Sequence, residues 1–271
     1  MSTPSNKPPL ISVIMGIYNC EDTLREAVES ILQQSISEWE LIMCDDGSTD
    51  GTFELAKTLA ASDSRISLVQ NEHNYGLGYA LNQCLKQATG VYIARMDGDD
   101  RCSPVRLQKQ LEFMSGHTEF AICSTPMILF DETGEWGRTK LKEQPSKEDV
   151  VTGAPIHHAP VMIRREALES IGGYSTSSNT LRVEDVDLWI RLYYAGYRCY
   201  NLQEALYSMR DDRNAFQRRK YRYRINSTII RLKGCQMMHL GIKSYLLSFL
   251  PMIVGLIPER MRRGIRKRRG A

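Results

Sequence analysis

LISVIMGIY (residues 10–18), followed by TLREAVESILQQ (23–34), sets the architecture. The first run is apolar almost throughout and rich in β-branched residues, as a strand buried on both faces requires. The second carries its apolar positions at helical spacing. The alternation then repeats: WELIMCDD (39–46) predicts a strand, TFELAKTLAA (52–61) a helix, ISLVQN (66–71) a strand and GYALNQCLKQA (78–88) a helix. VYIARMD (91–97) predicts a fourth strand, and SPVRLQKQLEFM (103–114) a helix with a favourable Ser-Pro opening. Short connections between such units imply an α/β fold with parallel strands and right-handed crossovers. In such sheets ligands bind beyond the carboxyl ends of the strands. Strands one, two and four end in GIYN, CDDGS and RMDGDD, so acidic residues gather at that edge.

The second half is less regular. AICSTPMILF (121–130) predicts a strand, TGEWG (133–137) a turn, and APVMIRREALESIGGY (159–174) a strand, a short helix and a glycine stop. VEDVDLWIRLYYAG (183–196) predicts a helix with Gly196 near its end, its Leu188, Trp189, Ile190 and Leu192 anchored in the core. A basic, polar stretch (210–224) leads to the apolar segment SYLLSFLPMIVGLIP (244–258).

Composition excludes several classes. The net charge is +3, but residues 260–269, RMRRGIRKRR, hold seven positive charges and no negative ones, so the remainder nets −4. A mildly acidic body with a basic tail is not a nucleic-acid-binding surface. Seven cysteines without C-x-x-C spacing imply neither a zinc site nor a disulfide framework, which favours a reducing compartment. The start, MSTPSNKPPL, has no apolar signal core, so a cytoplasmic protein is expected.

Four constellations carry candidate chemistry, each with a plainer alternative. In CDDGSTDGT (44–52), Asp, Gly, Ser and Thr suit a turn and a helix cap, with Thr49 or Asp50 capping. Capping does not require Asp45 and Asp46, whose carboxylates can accept a nucleobase ring N–H. In RMDGDD (95–100), Asp97 and Asp99 on a glycine turn can bind a hard cation such as Mg2+ or Mn2+ and a ribose hydroxyl; a solvated acidic turn is the alternative. Glu184, Asp185 and Asp187 stand in the first helical turn of RVEDVDLWIRL (182–192). The helix dipole favours them there, and a carboxylate at a helix start facing a cleft can also take a hydroxyl proton. His157 and His158 have no partner at metal-ligand spacing; they suit an acceptor or phosphate pocket, or a structural role. Arg210 and Arg213 are candidate diphosphate partners, with a solvated charged loop as the alternative.

Together, SVIMGIYNCEDTLREAVESILQQ, ELIMCDDGSTDGT, NYGLGYALNQCLKQATGVYIARMDGDD and EDVDLWIRL resemble the family 2 glycosyltransferases in order and spacing, over residues 10 to about 210. The resemblance implies an inverting, nucleotide-sugar-dependent enzyme of the GT-A fold, typical of bacterial surface-polysaccharide assembly. It implies that Ile17 and Tyr18 border the base, Asp45 meets the base N–H with Asp46 beside it, and Asp97 lies at the ribose. It further implies that Asp99 holds Mn2+ or Mg2+, that Asp185 is the catalytic base with Glu184 nearby, and that Arg95 contacts the nucleotide or neutralises its neighbours. Relatives often carry Tyr-Arg-x-His after the base helix; here LYSMRDDRNA keeps Arg210 without the histidine. The processive pattern Q-x-x-R-W is absent at Gln217, Arg218 and Arg219, which favours addition of a single sugar.

The expected organisation is a flexible start (1–9), a GT-A domain (10–215) and a helical extension (216–271). The domain divides into a nucleotide half (10–100) and an acceptor half (101–215). The expected partners are a nucleotide-sugar donor and a saccharide or lipid-linked acceptor. An apolar segment of fifteen residues with two prolines falls short of the roughly 20 that span a bilayer, so residues 244–269 are expected to lie on an anionic membrane surface, with a helix packed on the domain and a disordered tail as the alternative. A sugar nucleotidyltransferase would want a glycine-rich basic loop where YNCEDTL stands. A non-catalytic module would have little need for Asp99 and Asp185 together, and a glycoside hydrolase would need no metal.

Overall fold

The computed structural model describes residues 9–211 and 221–256. Arg213, the 217–219 triplet and the basic 260–269 run therefore lie outside the described residues. The first half is β1 (Ile11–Ile17), α1 (Leu24–Leu32), β2 (Trp39–Asp45), α2 (Thr52–Ser62), β3 (Ile66–Gln70), α3 (Leu77–Gln87) and β4 (Tyr92–Arg95). Next come β5 (Arg101–Cys102), α4 (Arg106–Gly116), β6 (Ile122–Ser124), β7 (Met127–Asp131), β8 (Gly134–Arg138), α5 (Lys147–Thr152), β9 (Met162–Arg164) and α6 (Arg165–Ser170). A 3-10 turn (Ser178–Thr180) precedes α7 (Glu184–Tyr194), β10 (Cys199–Asn201), β11 (Tyr207–Arg210), α8 (Tyr221–Met237), α9 (Ile242–Leu247) and α10 (Leu250–Leu256).

Seven strands form the main sheet in the order β10-β6-β9-β4-β1-β2-β3, all parallel to their neighbours except β9. Strand periodicity sorts its side chains into two cores. Val13, Met15, Leu41, Met43 and Ala94 pack beneath α1, α2 and α4. Ile14, Ile42, Cys44, Ile93 and Ile163 pack with α3, α5 and α7 on the other face. Six of the seven cysteines are buried and serve as small hydrophobes.

The second half departs from expectation in three places. Residues 121–130 are two strands in different sheets, β6 and β7, separated at Thr125-Pro126, where proline removes the ladder N–H. TGEWG is a strand, β8, paired antiparallel to β7; its largely solvent-facing residues leave no apolar alternation to read. With β5 and β11 these make a small four-stranded sheet, β5-β11-β7-β8. Helix α4 starts at Arg106, after the Ser-Pro step, and its Arg106 is wholly buried. That guanidinium donates to the Arg95 carbonyl at 2.7 Å and to Gln110, which fixes the carboxyl end of β4.

Candidate active site

The strand ends open onto a cleft of about 900 Å³. The β1 end contributes Ile17, Tyr18 and Asn19, the β4 turn Asp97 and Asp99, and the start of α7 Arg182 and Glu184; Arg210 closes one side. Asn19 and Arg182 have positive φ, 48° and 63°. Non-glycine residues held there cluster at functional sites, where surrounding structure imposes the strain.

Parallel register brings Ile17 beside Asp45, and the Asp46 amide bonds the Ile17 carbonyl at 2.9 Å. Asp45 is fully buried; Oδ2 accepts from the Ser48 amide at 3.2 Å, while Oδ1 has no partner. A buried acceptor without a donor is costly unless a ligand completes it. Asp46 faces the cleft and accepts from the Asn71 side chain and from the Tyr75 and Gly76 amides at 2.8, 3.1 and 2.7 Å. These bonds tether the 71–76 loop and leave about one acceptor position of the carboxylate. Tyr18 stands between the cleft and a neighbouring depression lined by Gly47–Thr49 and Gln70–Asn74.

At the β4 turn, oxygens of Asp97, Asp99 and Asp100 lie within 4.8 Å of one another. Their environments differ. Asp97 pairs with Arg95, which is buried below it and is not part of the cleft wall, so Arg95 neutralises rather than meets the nucleotide. Burial opposes the Arg95 charge, but Asp97 and its other acidic neighbours outweigh that cost and raise its pKa. Asp100 accepts from the Tyr207 hydroxyl at 2.9 Å and the Arg210 amide at 2.7 Å; burial, then the charges of Asp97 and Asp99, push its carboxyl well above the usual range. Asp99 is the most exposed of the three, beside Asp97 on the cleft wall, and no side chain among the described residues bonds its carboxylate. Its recess in the protein, and then Asp97, raise its pKa to about 6. Crowded carboxylates with excess negative charge and hard oxygen donors suit Mn2+ or Mg2+.

Arg210 is tied to Glu26 at 2.6 Å and to the Asp99 carbonyl at 3.1 Å, with its guanidinium over Phe130. The helix α7 is anchored by buried Leu188, Trp189, Ile190 and Leu192, each worth about 1.5–3 kcal/mol. The step of about 100° per residue turns Asp185 away from Glu184 and Asp187, which stand three positions apart on one side of the helix. Asp187 pairs with Arg191 at 2.7 Å. Glu184 lines the cleft, and burial, aided by the Asp185 charge, raises its pKa. Asp185 is not on the cleft wall in this conformation; Oδ1 turns back to accept the Val186 amide at 2.8 Å.

The two histidines are not in the cleft wall. His157 Nε2 bonds Thr139 at 2.8 Å, and His158 Nε2 bonds the Tyr174 hydroxyl at 2.9 Å, edge-on to Trp189. Burial lowers His157 to about 4, and burial, with the nearby Arg95 charge, holds His158 well below the usual histidine range. Neutral, hydrogen-bonded and recessed, they support the site from behind. Sequence reasoning missed Tyr207, Arg106 and Glu26, whose partners lie about 10 to 184 residues away in the chain.

The glycosyl transferase family 2 model matches residues 12–172. The putative glycosyltransferase EpsE of Bacillus subtilis (strain 168) is 45% identical, over 97% of this chain and 95% of its own. The Escherichia coli UDP-Glc:alpha-D-GlcNAc-diphosphoundecaprenol beta-1,3-glucosyltransferase WfaP is 31% identical, over 71% of this chain and 73% of its own. Among solved structures, the Pyrobaculum calidifontis mannosyltransferase with GDP-Man and Mn2+ superposes with a TM-score of 0.64 at 15% identity, covering 97% of this chain and 80% of that one.

Proposed function

Since the chain belongs to glycosyl transferase family 2 and has the GT-A fold, we propose that it transfers a sugar from a UDP-sugar to a hydroxyl of a lipid-linked saccharide in bacterial polysaccharide assembly. The observation that carries this reading is the shared cleft: Asp97 and Asp99 at one strand end face Glu184 at the start of α7. EpsE and WfaP, whose names describe glycosyltransferases, support the class, and the donor and acceptor in WfaP's name support the substrates.

The base end is Asp45, buried beside Ile17 of the cleft wall, whose unpartnered Oδ1 suits a ring N–H, with Tyr18 next along that wall. Asp97 takes the ribose side. Asp99 would hold Mn2+ or Mg2+, which supplies Lewis-acid stabilisation of the departing diphosphate when bound. Arg210 adds a positive charge at the same edge. The acceptor oxygen attacks the anomeric carbon from the face opposite the diphosphate, the carbon–oxygen bond to the diphosphate breaks, and configuration inverts. The acceptor proton passes to Asp185, released from its contact with the Val186 amide, while Glu184 orients the acceptor hydroxyl. A lipid-linked acceptor sets the enzyme at the inner face of the cell membrane. Among the described residues no helix is long and apolar enough to cross a membrane.

A thermal-shift panel tests this: UDP-, GDP- and dTDP-sugars, each with Mn2+, Mg2+ or chelator. A ligand at 100 times its Kd stabilises by about 2.7 kcal/mol, so UDP-sugars with metal should raise Tm clearly, and chelator should abolish the shift. No shift from any donor would overturn the reading.

A further inference from the structure

The helices α9 and α10 expose much of their apolar surface. A helix packed on a domain turns apolar residues inward and polar ones to water. Here the fully buried positions are Ser244 of α9 and Ser248 just after it, 5% and 0% exposed, with Tyr245 partly buried beside them, while α10 has no buried residue. The Ser248 hydroxyl donates to the Ser244 carbonyl at 2.8 Å and lies 3.5 Å from the Cys235 sulfur of α8. Outward stand Ile242, Leu246, Phe249, Leu250, Ile253 and Val254, with Ile242 76% and Leu246 66% exposed. Their spacing, i, i+4, i+7, i+8, i+11 and i+12, is that of one helical face. Ser248, which follows α9, keeps α-helical angles. Six apolar side chains exposed within residues 242–254 mark an interaction surface rather than a singly exposed residue.

Charge identifies what covers it. Residues 221–256 include five Lys or Arg and no Asp or Glu, and the seven cations of 260–269 follow in the chain. Lys243 and Arg222 are exposed. Arg231 is buried, and α5, packed on α9, brings Glu148 and Asp149, but the chain on either side of the strip is predominantly positive. An apolar face with an excess of positive charge along its own chain complements an anionic lipid surface, where apolar side chains enter the acyl boundary and cations meet the headgroups.

The strip also lies next to the acceptor side of the cleft. The Arg224 guanidinium donates to the Pro251 carbonyl at 3.2 Å, joining α10 to the start of α8. That same part of α8 supplies Tyr223 to the cleft wall and Asn226 to the 3-10 turn before α7. We propose that the outward face of α9–α10 docks the enzyme on an anionic membrane, inserting Leu246, Phe249 and Ile253 and so presenting the acceptor side of the cleft to the bilayer. The surface stands on its own exposure and charge; only its purpose rests on the lipid-linked acceptor proposed above.

Co-sedimentation of the full chain with vesicles tests it. Vesicles of phosphatidylglycerol and phosphatidylethanolamine should bind the wild type at least about tenfold more strongly than phosphatidylcholine vesicles do. The double variant Leu246→Glu, Ile253→Glu should lose roughly tenfold or more of that binding, while its thermal unfolding and donor-induced shift stay unchanged. Equal partition of variant and wild type would overturn the proposal, as would equal binding to phosphatidylcholine. Concentration-dependent self-association without vesicle binding, abolished in the variant, would overturn it in favour of a second copy. Loss of the donor-induced shift in wild type would sink the glycosyltransferase reading without touching the vesicle result.

Discussion

The Tyr207 hydroxyl donates to Asp100 Oδ2 at 2.9 Å while accepting the Asp97 amide at 3.1 Å, so one phenol joins β11 to both ends of the acidic turn. Tyr207 is 1% exposed and packs under Arg106. Removing the hydroxyl leaves a buried carboxylate and a buried amide short of partners. Tyr207→Phe should therefore cost about 1–3 kcal/mol in urea unfolding. It should also raise the Mn2+ concentration needed for the donor-induced thermal shift.

Asp99→Asn separates ligand binding from folding. Its carboxylate bonds no side chain among the described residues and repels Asp97. The variant should fold with unchanged or slightly higher Tm and should lose the metal-dependent shift with donor. A fall in Tm without ligand would show that Asp99 is structural.

Asp185→Asn and Glu184→Gln divide the work at the start of α7. Loss of a general base typically costs about 10²–10⁴-fold in rate. Asp185→Asn should abolish transfer with UDP affinity little changed, and Glu184→Gln should reduce turnover less. If Glu184→Gln were the more damaging change, the cleft-facing glutamate would be the base.

Stability should fall in mild acid through the histidines. His157 titrates at about 4 in the fold against about 6.5 unfolded. The unfolded chain therefore binds more protons between these values, and stability drops as pH falls from about 6.5 towards 4. Above about 6.5 this contribution is fully present. His157→Gln should shrink the wild-type loss between pH 7 and 5 by about 1–2 kcal/mol, measured by denaturant unfolding at each pH. Asp99 and Asp100, raised in the fold, act in the opposite sense but equally in both proteins.

Gly47→Ala should damage both fold and site. Gly47 has φ +71°, and a Cβ there would meet the His73 carbonyl carbon at 2.8 Å and the Asn74 nitrogen at 3.0 Å. The expected cost is about 1–3 kcal/mol in thermal unfolding, with weakened UDP binding as the loop tethered by Asp46 shifts.

The local parts of this protein were legible in its residues. Apolar period identified β1 to β4 and their helices, and turn chemistry put acids at the strand ends. The carboxyl-edge rule pointed to the ends of β1, β2 and β4, and Tyr18, Asp97 and Asp99 from two of these ends line the cleft, whereas Asp45 and Asp185 do not. These depend on neighbours a few residues apart, which a sequence displays directly. Tertiary structure decided the rest, because it turned on register, rotamer and distant partners. It tied Asp46 to the 71–76 loop, put Arg95 beneath Asp97, and retired His157 and His158 behind the cleft. It gave Asp100 a partner 107 positions away in Tyr207. It also turned the apolar side of α9 and α10 outward. Composition shows that an apolar segment exists, but only the packing of Ser244 and Ser248 against the domain decides which way it faces.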